Sequence, residues 1–245
     1  MTLQTVLDSI NSQRENTSIY LKRKLGDLSP EECVQVAQVL AQCPNLIELQ
    51  LWDNNLGNLA GHAPRFAALL ASSTSLTTLY LYANNLGSLA EHAPPFAAAL
   101  AKSTSLITLD LSCNYLGGLA GHAPGFATAL ATSTSLTNIH LRNNDLGNLA
   151  EHALGFVTEL AKSTSLTTLD LSWNNLGRLA EHAPGFAAAL ATSRTLTSLY
   201  LGNNNLGSLP EHALEFAQAL ANCPPLQPLD LSIPNIGNGN GFGLG

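Results

Sequence analysis

The chain has 7 histidines, and six of them, His62, His92, His122, His152, His182 and His212, recur every 30 residues. Glutamate precedes four of these, as Glu91, Glu151, Glu181 and Glu211. Imidazole and carboxylate are common zinc ligands, but zinc wants about four of them converging on a tetrahedron. A row spaced one repeat apart does not converge. Each histidine is therefore expected to bond the backbone where the chain turns into a helix, and no metal is expected. The seventh, His140, falls 30 residues after Asp110 and 30 before Asp170. A histidine between two carboxylates is material for acid–base chemistry or a metal site. Ser112 would complete a hydrolytic set, yet it lies only diagonal to His140, and no oxyanion donor accompanies it. A polar binding patch is the better reading, so no catalytic or cofactor-binding residue is assigned. The 4 cysteines, Cys33, Cys43, Cys113 and Cys223, form no CxxC pair and no disulfide framework. Cys113, expected on an exposed rim, has no basic neighbour in sequence to lower its thiol pKa.

The elements that position these groups follow from the same spacing. Leu46, Leu76, Leu106, Leu136, Leu166, Leu196 and Leu226 each open a copy of LxxLxLxxNxL. The asparagine stands at 54, 84, 114, 144, 174 and 204, and Pro234 replaces it in the last copy. Within a copy, Leu49 and Leu51 alternate with polar or variable residues, which suits a short strand with its leucines inward and residues 48, 50 and 52 outward. About twenty residues then precede the next strand. They include segments such as 64–71, where Phe66 and Leu70 share one helical face. Pro64, Pro94, Pro124 and Pro184 suit a first helical position, where a missing N–H costs nothing. Strands sit about 4.8 Å apart and helices roughly 10 Å, so stacking the copies must bend the array and put the strands on the inside. The buried asparagines are expected to satisfy backbone groups at the turn.

This pattern resembles the leucine-rich repeat family over roughly residues 17–236, with a degenerate first copy at Ile19, Leu21 and Leu25. The resemblance implies an α/β fold, a right-handed leucine-rich repeat solenoid with a parallel sheet on the concave face and helices on the convex face. The 30-residue copy is similar to the ribonuclease-inhibitor-like subclass, whose usual repeat is a little shorter; the segment around LAEHAP is expected to hold an extra turn. The chain reads as one domain: an N-terminal helical cap at 1–16, repeats over 17–236, and a glycine-rich tail at 237–245. Leu3, Val6, Leu7 and Ile10 share one stripe, expected to cover the open side of the first of about eight strands.

Function is to be sought where the copies differ. The column at position 50 reads Tyr20, Gln50, Tyr80, Asp110, His140, Asp170, Tyr200, Asp230. The column at 52 reads Lys22, Trp52, Tyr82, Ser112, Arg142, Ser172, Gly202, Ser232, and the next residue adds Arg23, Asp53, Ala83, Cys113, Asn143, Trp173 and Asn203. Both tryptophans and four of the 5 tyrosines fall in these columns. Tyr, Trp and Arg are the types enriched in binding hot spots. The partner-binding set is therefore Tyr20, Trp52, Tyr80, Tyr82, Asp110, His140, Arg142, Asp170, Trp173 and Tyr200.

Composition narrows the partner. Charged residues make up 11% against the usual ~25%, and the net charge is -7, which repels a phosphate backbone, so nucleic acid is not expected. No apolar run reaches the roughly 18 residues of a membrane span, and the N-terminus has no basic start followed by an apolar stretch. The expectation is an intracellular, monomeric, non-enzymatic module without signal peptide or cofactor, binding a partner protein. The near-identical copies are similar in style to leucine-rich repeat effectors of intracellular bacterial pathogens. That resemblance implies secretion into a host cell's cytosol and a host protein or another effector as the partner, to be inhibited or recruited. The alternative is a GTPase activator, with Arg142 and Asn143 as the only candidates for a finger or a water-positioning group.

Overall fold

The computed structural model describes residues 1–206 and 212–221. The cap helix α1 (Leu3–Ser12) leads into β1 (Ser18–Tyr20) and α2 (Pro30–Ala41). Strand–helix pairs then follow at the repeat interval: β2 (Glu48–Gln50) and α3 (Ala63–Ala71), β3 (Thr78–Tyr80) and α4 (Ala93–Leu100), β4 (Thr108–Asp110) and α5 (Ala123–Ala131). The series continues with β5 (Asn138–His140) and α6 (His152–Ala161), β6 (Thr168–Asp170) and α7 (Ala183–Leu190), β7 (Ser198–Tyr200) and α8 (Ala213–Ala221). All seven described strands form one parallel sheet in sequence order, with identical positions of successive copies side by side. The fold is the expected leucine-rich repeat solenoid. The expected eighth strand, Pro234 and the tail lie outside the described residues.

The core is built from columns. Leu49 and Leu51 and their counterparts are buried, and Phe66, Phe96, Phe126, Phe156 and Phe186 fill the space between sheet and helices. Small residues let the coils approach: a Cβ on Gly57 would meet the Asn85 carbonyl oxygen at 2.1 Å. The asparagines form the expected ladder. In one rung, Asn114 Oδ1 accepts from the backbone N–H of Asn84 at 2.9 Å and of Leu86 at 3.2 Å. Its Nδ2 donates to the carbonyls of Leu81 and Leu111 at 2.8 and 2.9 Å. A second ladder was not anticipated. Ser165 Oγ donates to the carbonyls of Ser133 and Leu136, both at 2.8 Å, while buried Ser163 Oγ accepts from the N–H of Leu166 at 3.1 Å. The repeated Ser-x-Ser-Leu was its visible signal.

Three details refine the expectation. Helix α1 packs on α2 and buries Val6 and Ile10 in the same core cluster as Ile19 and Leu21 of the first copy. The prolines sit at the second position of α3, α4, α5 and α7, because each helix starts one residue earlier; the N–H there is likewise without an intrahelical acceptor. The extra turn is a 3₁₀ segment, as at Leu56–His62, broken by Ala60 at φ 45°, ψ -125°.

Candidate functional site

The strand register sets the first variable column in line: Tyr80, Asp110, His140, Asp170 and Tyr200 are successive neighbours. Backbone pairing continues past each strand. The N–H of Cys113, for example, donates to the Arg142 carbonyl at 2.9 Å, and that of Trp173 to the Gly202 carbonyl at 2.9 Å. This pairing holds the third column in the left-handed region. Arg23, Asp53, Ala83, Cys113, Asn143, Trp173 and Asn203 all have φ between 53° and 61°. Glycine and asparagine suit that conformation, and bulky residues resist it. Trp173 is thus held where the backbone would favour a small polar residue.

Two clusters form on this face. In the first, Trp52 meets Tyr80 edge-on with centroids 6.3 Å apart and Tyr82 tilted at 6.1 Å. The Lys22 ammonium lies 5.9 Å from the Trp52 ring centroid. The Trp52 indole N–H is buried and has no acceptor among the described residues. Burial pushes the Tyr80 phenol pKa up, aided by Glu48 and Asp110. Tyr82 is pushed up to about 12, first by its hydrogen bond with Cys113, then by the charge of that group and by burial, with Arg142 opposing.

The second cluster joins Asp110, His140, Arg142, Asp170 and Trp173 around an open hollow of about 400 Å³ that also reaches Tyr82. His140 Nδ1 lies 3.9 Å from Asp170 Oδ2. Asp170 holds the imidazole pKa above its ordinary value; burial opposes this, and Asp110 adds to it. Burial works to raise the Asp170 pKa, but His140 and the hydrogen bonds of Ser172 outweigh it and hold the carboxyl below its usual value. Both carboxylates are anchored, Asp110 Oδ1 accepting the Ser112 N–H at 2.8 Å and Asp170 Oδ1 the Ser172 N–H at 2.9 Å. The Asp-Leu-Ser triplets at 110–112 and 170–172 carried that signal. Among the described residues Arg142 forms no ion pair with either acid, and it lies over Trp173, 5.4 Å from the ring centroid. Ser112 is buried, and among the described residues no hydrogen bond joins it to His140.

Tyr20 and Tyr200 flank these clusters on the first and last described strands, 55% and 42% exposed. Tyr115, 61% exposed beside Cys113 and Asn143, was not among the sequence candidates. It occupies a position filled by asparagine or aspartate in the other described copies that carry the buried asparagine, which is the signal that could have singled it out.

The histidine column needs a correction. Among the described residues none of its rings bonds the backbone, because the 3₁₀ segment leaves them half-exposed at its end. Four of the six pair instead with glutamates: His62 Nε2 with Glu31 at 3.6 Å, His92 Nε2 with Glu91 at 4.0 Å, His152 Nε2 with Glu151 at 3.9 Å and His212 Nδ1 with Glu215 at 3.7 Å. No group of three or more His, Cys, Asp or Glu among the described residues is placed to hold a metal. Cys33 and Cys43 are buried thiols, burial with help from Glu32 pushing Cys33 up to about 11; Cys113 is half-buried, and Cys223 lies outside the described residues. No helix among the described residues is long and apolar enough to cross a membrane.

Comparison with known proteins places this geometry. Residues 162–178 and 195–216 match two leucine-rich repeat family models. The structure is similar to that of the leucine-rich repeat-containing protein LegL7 from Legionella pneumophila, with 21% identity, a TM-score of 0.57, and coverage of 91% of this chain and 86% of that one. A match to the actin-binding site 2 of leiomodin-1, 12% identical over 91% of this chain and 90% of that one, has a TM-score of 0.32 and carries no argument. No curated protein matches the sequence. The repeating coils, the two matched segments and the shared architecture give the chain a leucine-rich repeat fold.

Proposed function

We propose that the concave face grips one partner protein through Trp52, Tyr80, Tyr82, Asp110, His140, Arg142, Asp170 and Trp173, with Tyr20 and Tyr200 at its margins. Leucine-rich repeat proteins generally mediate protein–protein interaction, and solenoids of this kind use extended concave surfaces for it. One observation carries the reading for this chain: both tryptophans and four of the five tyrosines are concentrated in the columns where otherwise near-identical copies differ, and one of them, Trp173, sits at φ 61°. Such strain is kept where it serves function. Seven strands at about 4.8 Å make a wall of roughly 30 Å, enough for an interface of standard size.

The finer reading is an effector of an intracellular bacterium, acting as a monomer inside a host cell after export by a specialised secretion system and inhibiting or recruiting a host protein or another effector. Its support is the style of the repeats. Affinity capture with mass spectrometry tests the proposal, comparing wild type with the Trp52→Ala/Trp173→Ala double variant. A protein retained by wild type and lost by a folded double variant is the expected result. Equal retention by both contradicts it.

A further inference from the structure

The residue after each buried asparagine is left-handed, with φ from 53° to 56° at Asn55, Asn85, Tyr115, Asp145, Asn175 and Asn205. Five of these six are Asn or Asp, which tolerate that conformation. Tyr115 is the exception, and at 61% exposure its ring is not repaid by burial in the core. It lines an open hollow of about 450 Å³ together with Tyr82, Asp53, Asn85, Cys113 and Asn143. Asp53 is the one residue with a formal charge among those lining it. That carboxylate already holds a guanidinium, Arg23 Nε donating to Oδ2 at 2.5 Å, while Oδ1 makes no hydrogen bond among the described residues. Tyr82 keeps its proton and is tied to Cys113, and Asn143 Nδ2 donates to Cys113 Sγ at 3.2 Å, so this wall is held in place.

We infer that this hollow binds the guanidinium of an arginine side chain presented by the partner protein. A guanidinium is planar and weakly hydrated, stacks on aromatic faces and hydrogen-bonds carboxylates and carbonyls together. Tyr115 and Tyr82 offer aromatic rings, Asp53 Oδ1 a carboxylate oxygen that Arg23 does not take up, and the asparagine side chains the neutral acceptors. The chain's own Arg142 shows the same preference, resting on Trp173. An acidic group would face Asp53 with no cation lining the hollow. The inference deepens the reading of this side as a protein-binding surface and rests on it for its use, though not for its chemistry.

The test is an NMR titration of tyrosine ring resonances with acetyl-Gly-Arg-Gly-amide and with its citrulline counterpart, a neutral near-isostere. The arginine peptide should shift the Tyr115 and Tyr82 rings saturably, and the citrulline peptide should bind about tenfold more weakly. Tyr115→Asn should abolish the Tyr82 response while melting no lower than wild type, since asparagine suits the backbone there. Asp53→Asn, a second variant should the first fail to fold, should weaken binding about tenfold. No saturable shift, an equal response to citrulline, or a response that survives these substitutions overturns the site. The titration needs no partner. A positive titration beside a failed partner capture contradicts only the broader reading, and a negative titration contradicts only the guanidinium site.

Discussion

His140 and Asp170, neighbours in register on β5 and β6, form an ion pair with 3.9 Å between Nδ1 and Oδ2. The histidine pKa is raised and the aspartate pKa lowered, so the pair is fully charged between the two folded values. The raised histidine stabilises the fold below its unfolded pKa of about 6.5, and that contribution is lost as pH rises through the folded value. The lowered aspartate stabilises above about 3.9, and its contribution is lost as pH falls through its folded value. Because His140 is 36% exposed, solvent screening keeps the pair's worth below about 1 kcal/mol. NMR titration should place the His140 pKa above 6.5, falling in Asp170→Asn; a wild-type value at or below 6.5 would refute the electrostatic account of this cluster.

The asparagine ladder predicts unequal costs for two substitutions. Asn114→Ala strips hydrogen bonds from buried backbone groups in two coils and should cost about 1–3 kcal/mol. Tyr200→Ala, at a 42% exposed position, should stay within about 0.5 kcal/mol. Denaturant melts giving equal losses would contradict the structural role of the column.

Close packing of the coils predicts that Gly87→Ala is damaging. A Cβ there would sit 2.1 Å from the Tyr115 carbonyl oxygen, backbone that cannot swing aside. A loss of about 3 kcal/mol or more is expected in the same melts. A neutral result would mean that the coils stand farther apart.

Ala120 is held at φ 46°, ψ -123°, a region that suits glycine. Ala120→Gly should therefore stabilise the fold by up to about 1 kcal/mol, relief of strain exceeding the entropy glycine adds to the unfolded chain. Destabilisation would mean that the 3₁₀ kink is unstrained.

The architecture was legible because each rule repeats: one leucine alternation, read six times over, leaves no freedom in register, and one asparagine per coil marks the turn. The cluster of Asp110, His140 and Asp170 was legible for the same reason, since residues 30 apart must be neighbours in a parallel stack. Side-chain direction was not. Arg142 could have met either acid, and only its course over Trp173 shows that the aromatic face wins. The left-handed column was hidden because its residues, Arg23, Cys113 and Trp173 among them, lack the glycine that usually announces it. The histidines were misjudged because an exposed 3₁₀ segment imposes no need for a backbone partner, whereas a buried turn would have done so.

The most direct test of the concave-face account is amide hydrogen exchange on the complex with a captured partner. The account predicts new protection in the segments that carry the variable columns, 48–55, 78–85, 108–115, 138–145 and 168–175, with helices α3 to α7 exchanging as in the free protein. Protection confined to those helices, with the strand segments unchanged, would contradict it.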